Sequence, residues 1–181
     1  MSLYRDTGVV LRTYKLGEAD RILVILTAGH GKIRAIAKGV RKTKSRFGGR
    51  LEPLSHVSLL VYEGRELDIV SQAETIDSIA PLLTDLDRLT QGVALAEAID
   101  QLTPDREPVP HLYRMLVGAL RALETHPSPL VVPAFFWKVL ASDGTRPELD
   151  VCVSCGEAAP LVAFDMNEGG VLCRNCRRGV A

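Results

Sequence analysis

The four cysteines constrain this 181-residue chain more than any other feature, because all of them lie within the last thirty residues. They form two C-x-x-C pairs, Cys152 with Cys155 and Cys173 with Cys176, separated by seventeen residues. This is the spacing of zinc ribbons, in which each pair holds the metal from a tight turn. Residues 161–164 and 170–173 read as short strands around a turn rich in Asn and Gly. The pattern predicts a ribbon-like hairpin that brings four thiolates together.

Three other uses of these cysteines were weighed against metal binding. Disulfides need an oxidising compartment, and the N-terminal residues show no secretory signal. A redox C-x-x-C normally occurs once, at the start of a helix, whereas here it is doubled. Cysteines that simply fill a core have no reason to be paired so regularly. We therefore expect one structural zinc ion in an element spanning about 147–178, with all four coordination positions filled by protein.

The charge of the chain is divided unevenly, although the formal net charge is zero. Residues 1–50 contain twelve Lys or Arg and three acidic residues, a net charge of +9, and the remaining 131 residues carry −9. Solubility alone does not require such segregation, so a basic N-terminal module with an anionic partner is expected.

The N-terminal 80 residues have the pattern of a small β-barrel. Short runs rich in β-branched residues alternate with turns that contain Gly, Asp and Glu. A five-stranded OB-type barrel is the leading interpretation, and an SH3-like barrel is the alternative. The predicted strands are 9–14, 21–27, 32–38, 56–62 and 66–72, and the last two form a hairpin across Glu63-Gly-Arg65.

The third predicted strand and the loop after it carry eight positive charges and no acid. A strand places Lys32, Arg34 and Lys38 on one face and turns the intervening apolar residues into the barrel. Like charges this dense favour an anionic partner, and nucleic acid fits best. An acidic protein surface and a merely solvated face are the alternatives. The predicted DNA-binding residues are Lys32, Arg34, Lys38, Arg41, Lys42, Lys44, Arg46 and Arg50.

Aromatic and histidine residues near this segment are less informative. Phe47, the aromatic residue of the basic loop, fits either of two roles: stacking on a base or packing against the barrel. Tyr14 and Tyr62 are expected to pack in the barrel, and His30 and His56 are expected to have no functional role.

After Pro81 the apolar residues recur at intervals of three and four, which indicates helices. We predict helices over 82–102, 110–124 and 130–140, separated by proline-rich breaks. Their apolar stripes are most simply core, although Phe135, Phe136 and Trp137 are also compatible with a groove for a partner. The chain is therefore expected to be an α+β protein with a barrel domain at 1–80 and a helical domain at 81–181 that carries the zinc element.

No motif of nucleotide hydrolysis, dinucleotide binding, or serine or zinc hydrolase chemistry occurs in the chain. With a closed metal site, the sequence favours a binding protein over an enzyme. No apolar run reaches the roughly 20 residues needed to cross a bilayer, so a cytoplasmic, nucleoid-associated location and no membrane partner are expected.

The order of a basic barrel, a helical middle and a late four-cysteine ribbon resembles the bacterial RecO family of recombination mediators. The resemblance covers essentially the whole chain and is carried by residues 4–23, 27–42 and 147–155, by Leu51-Glu-Pro-Leu54, and by the Glu63-Gly hairpin. Residues 31–53 are the most specific part. Family members continue with further helices beyond the ribbon, so we expect this chain, which stops at Ala181, to be C-terminally truncated.

The resemblance implies an OB-fold that binds single- and double-stranded DNA. It also implies a non-enzymatic role in the RecF pathway: annealing complementary strands, acting on DNA coated by single-strand DNA-binding protein, and loading recombinase together with RecR. The eight basic residues would then be DNA contacts and the four cysteines metal ligands. The alternative function is a zinc-containing adaptor whose basic barrel binds acidic partner peptides.

Overall fold

A computed structural model describes residues 2–158 and 160–177 of the chain. It contains two compact units, the first extending to Val132 and the second beginning at Pro133. The first unit holds a β-barrel and three helices, and the second holds most of a fourth helix and a two-stranded ribbon. The α+β class is confirmed. The domain division at residue 80 stays a prediction.

The first five strands form a closed barrel in the order β1-β2-β3-β5-β4, and the predicted five-stranded, OB-fold-like barrel is confirmed. The long first strand pairs with β4 through its first half and with β2 through its second half. A bulge between Val10 and Arg12 lets this one strand bend around the barrel. The strands are β1 (Leu3–Leu16), β2 (Asp20–Thr27), β3 (Gly31–Ala37), β4 (His56–Tyr62) and β5 (Asp68–Asp77).

The alternation predicted for the third strand is present. Ile33, Ala35 and Ala37 are fully buried in the barrel interior, while Arg34 is exposed. The interior is completed by apolar residues from the other four strands and from the loop between β3 and β4. Burial of this contiguous set is the main force that closes the barrel.

The predicted helix over 82–102 is interrupted near its start. The structure has a short α1 (Ala80–Leu83) and then α2 (Leu86–Leu102), with Asp85 between them. The Asp85 carboxylate accepts hydrogen bonds from the backbone N–H groups of Asp87 (3.0 Å) and Arg88 (3.2 Å). This N-cap satisfies donors that the helix itself cannot, so α2 begins here.

The other two helices agree with the prediction to within two residues. They are α3 (Pro110–Thr125), which has proline in its first turn, and α4 (Val131–Ser142). The apolar residues of 82–102 are only partly core, contrary to the prediction. Leu95 and Ile99 are fully buried, whereas Leu86 is 73% exposed. No helix within the described residues is long and apolar enough to cross a membrane.

The ribbon of the second unit is an antiparallel hairpin of β6 (Leu161–Asp165) and β7 (Gly170–Cys173), as predicted. The Asp165 carboxylate accepts the N–H of Asn167 at 2.8 Å and so stabilises the turn between them. The segment before β6 pairs with β7, since Val153 donates to the Val171 carbonyl at 2.9 Å and Val171 donates to the Glu148 carbonyl at 3.0 Å.

Candidate metal centre and nucleic-acid interface

The four cysteine sulfurs come together in the second unit. The Sγ atoms of Cys152, Cys155, Cys173 and Cys176 all lie within 4.8 Å of one another, and those of Cys155 and Cys173 are 3.9 Å apart. A tetrahedral site with Zn–S bonds of about 2.3 Å requires S–S separations of about 3.8 Å. The four residues therefore fit a metal ion that prefers four thiolates.

The backbone around Cys152 favours its ionised form. Hydrogen bonds from the backbone N–H of Cys173, and also from those of Cys155 and Ser154, outweigh burial and lower the pKa of the Cys152 thiol to about 6. Tight turns supply these donors, since Gly156 donates to the Cys152 carbonyl at 2.7 Å with a positive φ of 76°. Glycine adopts that φ without strain. Cys152 is thus prepared to bind a metal ion as a thiolate. For Cys155, a hydrogen bond from the Glu157 backbone lowers the pKa, but the contact with Cys152 and burial outweigh it and raise the pKa to about 12.

The ribbon has little else to hold it together. Its buried cluster contains three residues, and two of them, Cys152 and Cys173, are ligands; Leu172 is the third. A hydrophobic core this small cannot offset the entropy of ordering the hairpin. The ribbon therefore depends on a metal cross-link, and with four protein ligands the site leaves no position open for a substrate.

The basic loop of the first unit, residues 38–55, is fixed to the barrel by its apolar side chains. Val40, Phe47, Leu51 and Leu54 are at most 9% exposed, and the first three belong to the barrel core. Hydrogen bonds add to this anchoring: the Gly39 N–H donates to the Asp20 carboxylate at 2.7 Å. The loop is consequently a packed part of the barrel and not a free tether.

Phe47 is 1% exposed, which decides between its two predicted roles. Its ring lies in the barrel core, so stacking on a base is wrong. It still shapes the surface, because the Arg46 guanidinium lies 4.8 Å above the ring centre and Arg50 donates to the Phe47 carbonyl at 3.3 Å.

Seven of the eight predicted DNA-binding residues are exposed on this loop and the adjoining strand. None of these seven side chains forms an ion pair with a carboxylate in 2–158 or 160–177, whereas six other Lys or Arg side chains of the first unit do. Their charges are therefore uncompensated, and they create a positive potential. The seven residues, hereafter the cationic surface, are Arg34, Lys38, Arg41, Lys42, Lys44, Arg46 and Arg50.

Lys32 differs from the other predicted contacts. Its side chain is 12% exposed, and its ammonium group lies 3.2 Å from the Asp100 carboxylate and 3.5 Å from that of Asp105. It also donates to the Asp100 backbone carbonyl at 2.7 Å. The structure therefore places this cation between helix α2 and the barrel, where carboxylates already pair with it.

Arg12 and Tyr14, on the outer face of β1, extend the cationic surface. The Arg12 Nε lies 2.7 Å from the buried Asp100 carboxylate, and its guanidinium carbon lies 5.3 Å from the centre of the Tyr14 ring. Tyr14 is 43% exposed, so the expectation that it packs in the barrel is wrong. The polar residues around Tyr14 at the end of β1 do not show from sequence alone that its ring is exposed.

A buried carboxylate also escaped the sequence analysis. Asp68 is fully buried and is bound by the Arg106 guanidinium (2.9 Å), the Tyr4 hydroxyl (2.7 Å) and the Gly64 N–H (2.9 Å). Burial alone would raise the pKa of Asp68, but these donors outweigh it and leave the pKa lowered. Its partners are 38 and 64 residues away in sequence, so no local pattern could have indicated them.

His30 and His56, which were expected to have no functional role, both form side-chain hydrogen bonds. His56 is buried, with Nδ1 2.5 Å from the Asp77 carboxylate and Nε2 2.8 Å from the Tyr113 hydroxyl. His30 Nδ1 lies 2.6 Å from the Asp6 carboxylate. These contacts link strands of the barrel to one another and to helix α3, so their role is structural.

The fold and the two sites define a class: OB-fold-like barrel proteins with a basic outer surface, a helical region and a four-cysteine metal ribbon. Residues 1–79 match the family model described as Recombination protein O N terminal, and residues 83–180 match Recombination protein O C terminal. The chain belongs to the RecO family of DNA repair and recombination proteins, as the sequence resemblance indicated.

Similar proteins from several bacteria support this assignment. The chain is 50% identical over 177 residues to the DNA repair protein RecO of Bifidobacterium longum, covering 96% of this chain and 74% of that protein. It is 49% identical over 180 residues to that of Bifidobacterium adolescentis (96% and 73%) and 45% identical over 185 residues to that of Cutibacterium acnes (98% and 75%).

Proposed function

We propose that this protein binds DNA through the cationic surface and anneals complementary strands without an enzymatic step. The observation that carries the proposal is the set of seven exposed cations without carboxylate partners, fixed to a rigid barrel. Such a surface attracts phosphates, releases counterions and shows little sequence preference. Both single-stranded and double-stranded DNA present the required charge.

Lys32 is left out of the proposed contact set. Two carboxylates and a backbone carbonyl already surround its ammonium group, and removing it from them to reach a phosphate would leave the buried Asp100 with Arg12 as its remaining cationic partner among the described residues. We propose that Lys32 instead joins helix α2 to the barrel.

The proposed role in the cell is that of a recombination mediator of the RecF pathway. The protein would act on single strands covered by single-strand DNA-binding protein, work with RecR and help to load recombinase. Membership of a family of DNA repair proteins supports this role. We also propose that the metal of the ribbon is zinc and that it is structural, because four thiolates favour this ion and leave no open position.

The test is the salt dependence of DNA binding by a triple variant, Arg41→Ala, Lys42→Ala and Lys44→Ala. If all three contact phosphates, the slope of log affinity against log salt for single-stranded DNA decreases in magnitude by about 2, at about 0.7 per phosphate. A matched control removes three cations that are already paired with carboxylates: Arg21→Ala, Arg88→Ala and Arg121→Ala. An equal slope in the wild type and the triple variant would contradict the proposal.

The acidic-peptide adaptor is the second candidate, since the same unpaired cations could bind carboxylates. Competition separates the two functions. Two competitors of equal charge, an acidic peptide and an unlabelled oligonucleotide, are compared for displacement of a labelled single-stranded oligonucleotide. If the peptide is needed at far higher concentration, DNA is supported as the ligand. A peptide that binds more tightly than that oligonucleotide, with affinity lost in the triple variant, supports the adaptor.

A further inference from the structure

We infer that Tyr14, lying beside the guanidinium of Arg12 on the outer face of the barrel, is a stacking platform for an unpaired DNA base. The inference rests on the proposed function and deepens it, because it adds a base-binding residue to a surface proposed to hold phosphates. It also predicts which form of DNA the protein prefers.

The strand register places Tyr14 among the basic residues. Tyr14 pairs with Ile22, and Ile22 pairs with Ile36 on the next strand. The adjacent row is formed in the same way by Arg12, Val24 and Arg34. Neighbouring strands are about 4.8 Å apart and these two rows are about 7 Å apart along the strands, so the backbone of Tyr14 lies about 12 Å from that of the exposed Arg34.

The cationic surface also approaches Tyr14 from the other side. Arg41 donates from its guanidinium to the Gly17 carbonyl at 3.2 Å and from its backbone N–H to the Ala19 carbonyl at 3.0 Å. Gly17 is three residues beyond Tyr14, in the turn that joins β1 to β2. Tyr14 thus lies between Arg34 on the strand and Arg41 on the loop, along the path that a bound phosphate backbone would follow.

The platform is held in place before any ligand arrives. The buried Asp100 carboxylate fixes the Arg12 guanidinium at 2.7 Å, and Arg12 in turn lies 5.3 Å from the Tyr14 ring centre. A ring that is already ordered loses little conformational entropy when a base stacks on it. Arg12 adds a cation next to the stacked pair, an arrangement found in proteins that bind single strands.

Of the four tyrosines, Tyr14 is the one best suited to stack on a base. The hydroxyls of Tyr4 and Tyr113 donate to Asp68 and Thr7, which marks both side chains as structural. Tyr62 is exposed to a similar degree, 40%, but it ends β4 next to Glu63, where an acidic neighbour opposes DNA. Tyr14 combines an exposed ring, a cation beside the ring and neighbouring unpaired cations.

Stacking distinguishes single strands from duplex. A base in a duplex has both faces covered by its neighbours, whereas a base in a single strand can present a face to an aromatic ring. Phosphate contacts do not make this distinction. Tyr14 should therefore contribute to the binding of single strands and not to that of duplexes, and it would hold bases unpaired and available for a complementary strand.

The experiment compares Tyr14→Ala with the wild type on three ligands of equal length: oligo(dT), the same strand lacking bases, and a duplex. Tyr14→Ala is expected to bind oligo(dT) about tenfold more weakly, a loss of about 1.4 kcal/mol, which is within the range for stacking on one base. Binding to the abasic strand and to the duplex is expected to change by less than twofold. Tyr14→Phe, which keeps the ring, is expected to bind all three ligands as the wild type does.

Tyr62→Ala is the matched control and should leave all three affinities unchanged. Tyr14→Leu gives a second variant with an apolar side chain in case the alanine variant does not fold. Unchanged binding of oligo(dT), or an equal loss on all three ligands, would overturn the stacking role while leaving the proposed DNA binding intact. Wild-type protein that binds none of the three would overturn both.

Discussion

The two units of this protein reach stability by different means. The barrel core contains thirteen buried residues from five strands and the basic loop, whereas the ribbon cluster contains three, of which two are cysteines. The barrel also contains a buried carboxylate, Asp68, which is paired with the partly exposed Arg106. The ribbon instead brings four sulfurs within 4.8 Å of one another. The barrel is stabilised by packing, whereas the ribbon has a small buried cluster and four thiols placed to hold a metal ion.

Only a unit with a well-packed interior can expose a dense set of like charges. The outer surface of the barrel can carry uncompensated cations. Their mutual repulsion is offset by the burial of apolar side chains in the barrel interior. The ribbon places its four thiols together as metal ligands. The predictions below separate the two modes of stabilisation, beginning with the largest expected effect.

Loss of the metal should break the ribbon and spare the barrel. Replacing one buried ligand, Cys173→Ser, should abolish tight metal binding and unfold the ribbon, because the binding free energy of structural zinc, about 10–16 kcal/mol in small domains, is also folding free energy. Hydrogen exchange is the measurement: amides in 148–158 and 160–177 are expected to lose protection, and those of β1–β5 are expected to keep it. Met166→Ser, at an 87% exposed turn position, is the control. Protected ribbon amides in the Cys173→Ser variant would contradict the account.

Removing the Phe47 ring, which anchors the basic loop, should destabilise the barrel and leave the ribbon folded. Phe47→Ala leaves a cavity at a position that is 1% exposed and should lower the free energy of unfolding of the first unit by about 3–5 kcal/mol. Metal affinity of the ribbon should not change. Chemical denaturation followed by a barrel-specific probe measures the effect, and Phe47→Leu should cost less than about 1.5 kcal/mol. A stable Phe47→Ala barrel would show that the loop is not anchored as described.

Breaking the ion pair at Asp68 should destabilise the same unit somewhat less. Arg106→Ala leaves a fully buried carboxylate without its charged partner, but the Arg106 side chain is itself 43% exposed. We therefore expect a loss of roughly 3 kcal/mol, at the lower end for such pairs. Arg88→Ala, which removes a partly exposed pair with Asp85, should cost less than about 1 kcal/mol. Equal losses in the two variants would refute a special role for Asp68.

Acid should weaken the first unit through the same carboxylate. Because the folded pKa of Asp68 is lowered by its donors, its contribution to stability is present above the unfolded pKa of about 3.9 and is lost as the pH falls through the folded value. The Asp68→Asn variant should be less stable than the wild type at neutral pH. It should also lose less stability than the wild type as the pH falls through the folded pKa of Asp68. Denaturation at several pH values below 5 tests this, and parallel curves for the two proteins would contradict it.

Local patterns in the sequence were enough to predict much of the fold. Alternation in β3, the hairpin across Glu63, proline at the start of α3 and the spacing of the cysteines each depend on residues close in the chain, and each is confirmed. The boundaries of β1 and β5 were too short, because both strands continue into polar residues that the barrel exposes to solvent.

Contacts between distant residues account for what was missed. Lys32 has the local pattern of the exposed cations, and only Asp100, 68 residues later, distinguishes it. The Tyr4, Asp68 and Arg106 contacts similarly join the first strand, the fifth strand and the loop before α3. Phe47 was ambiguous because burial of a loop aromatic depends on where the whole loop lies.

The most direct test of the central claim is the rate at which the protein anneals two labelled complementary DNA strands, with no nucleotide added, over a range of salt. We expect acceleration that decreases as salt rises and is greatly reduced in the Arg41→Ala, Lys42→Ala, Lys44→Ala variant. The control variant Arg21→Ala, Arg88→Ala, Arg121→Ala should accelerate annealing as the wild type does. No acceleration by the folded, metal-loaded protein, or equal acceleration by the triple variant, would contradict the claim that the cationic surface acts on DNA.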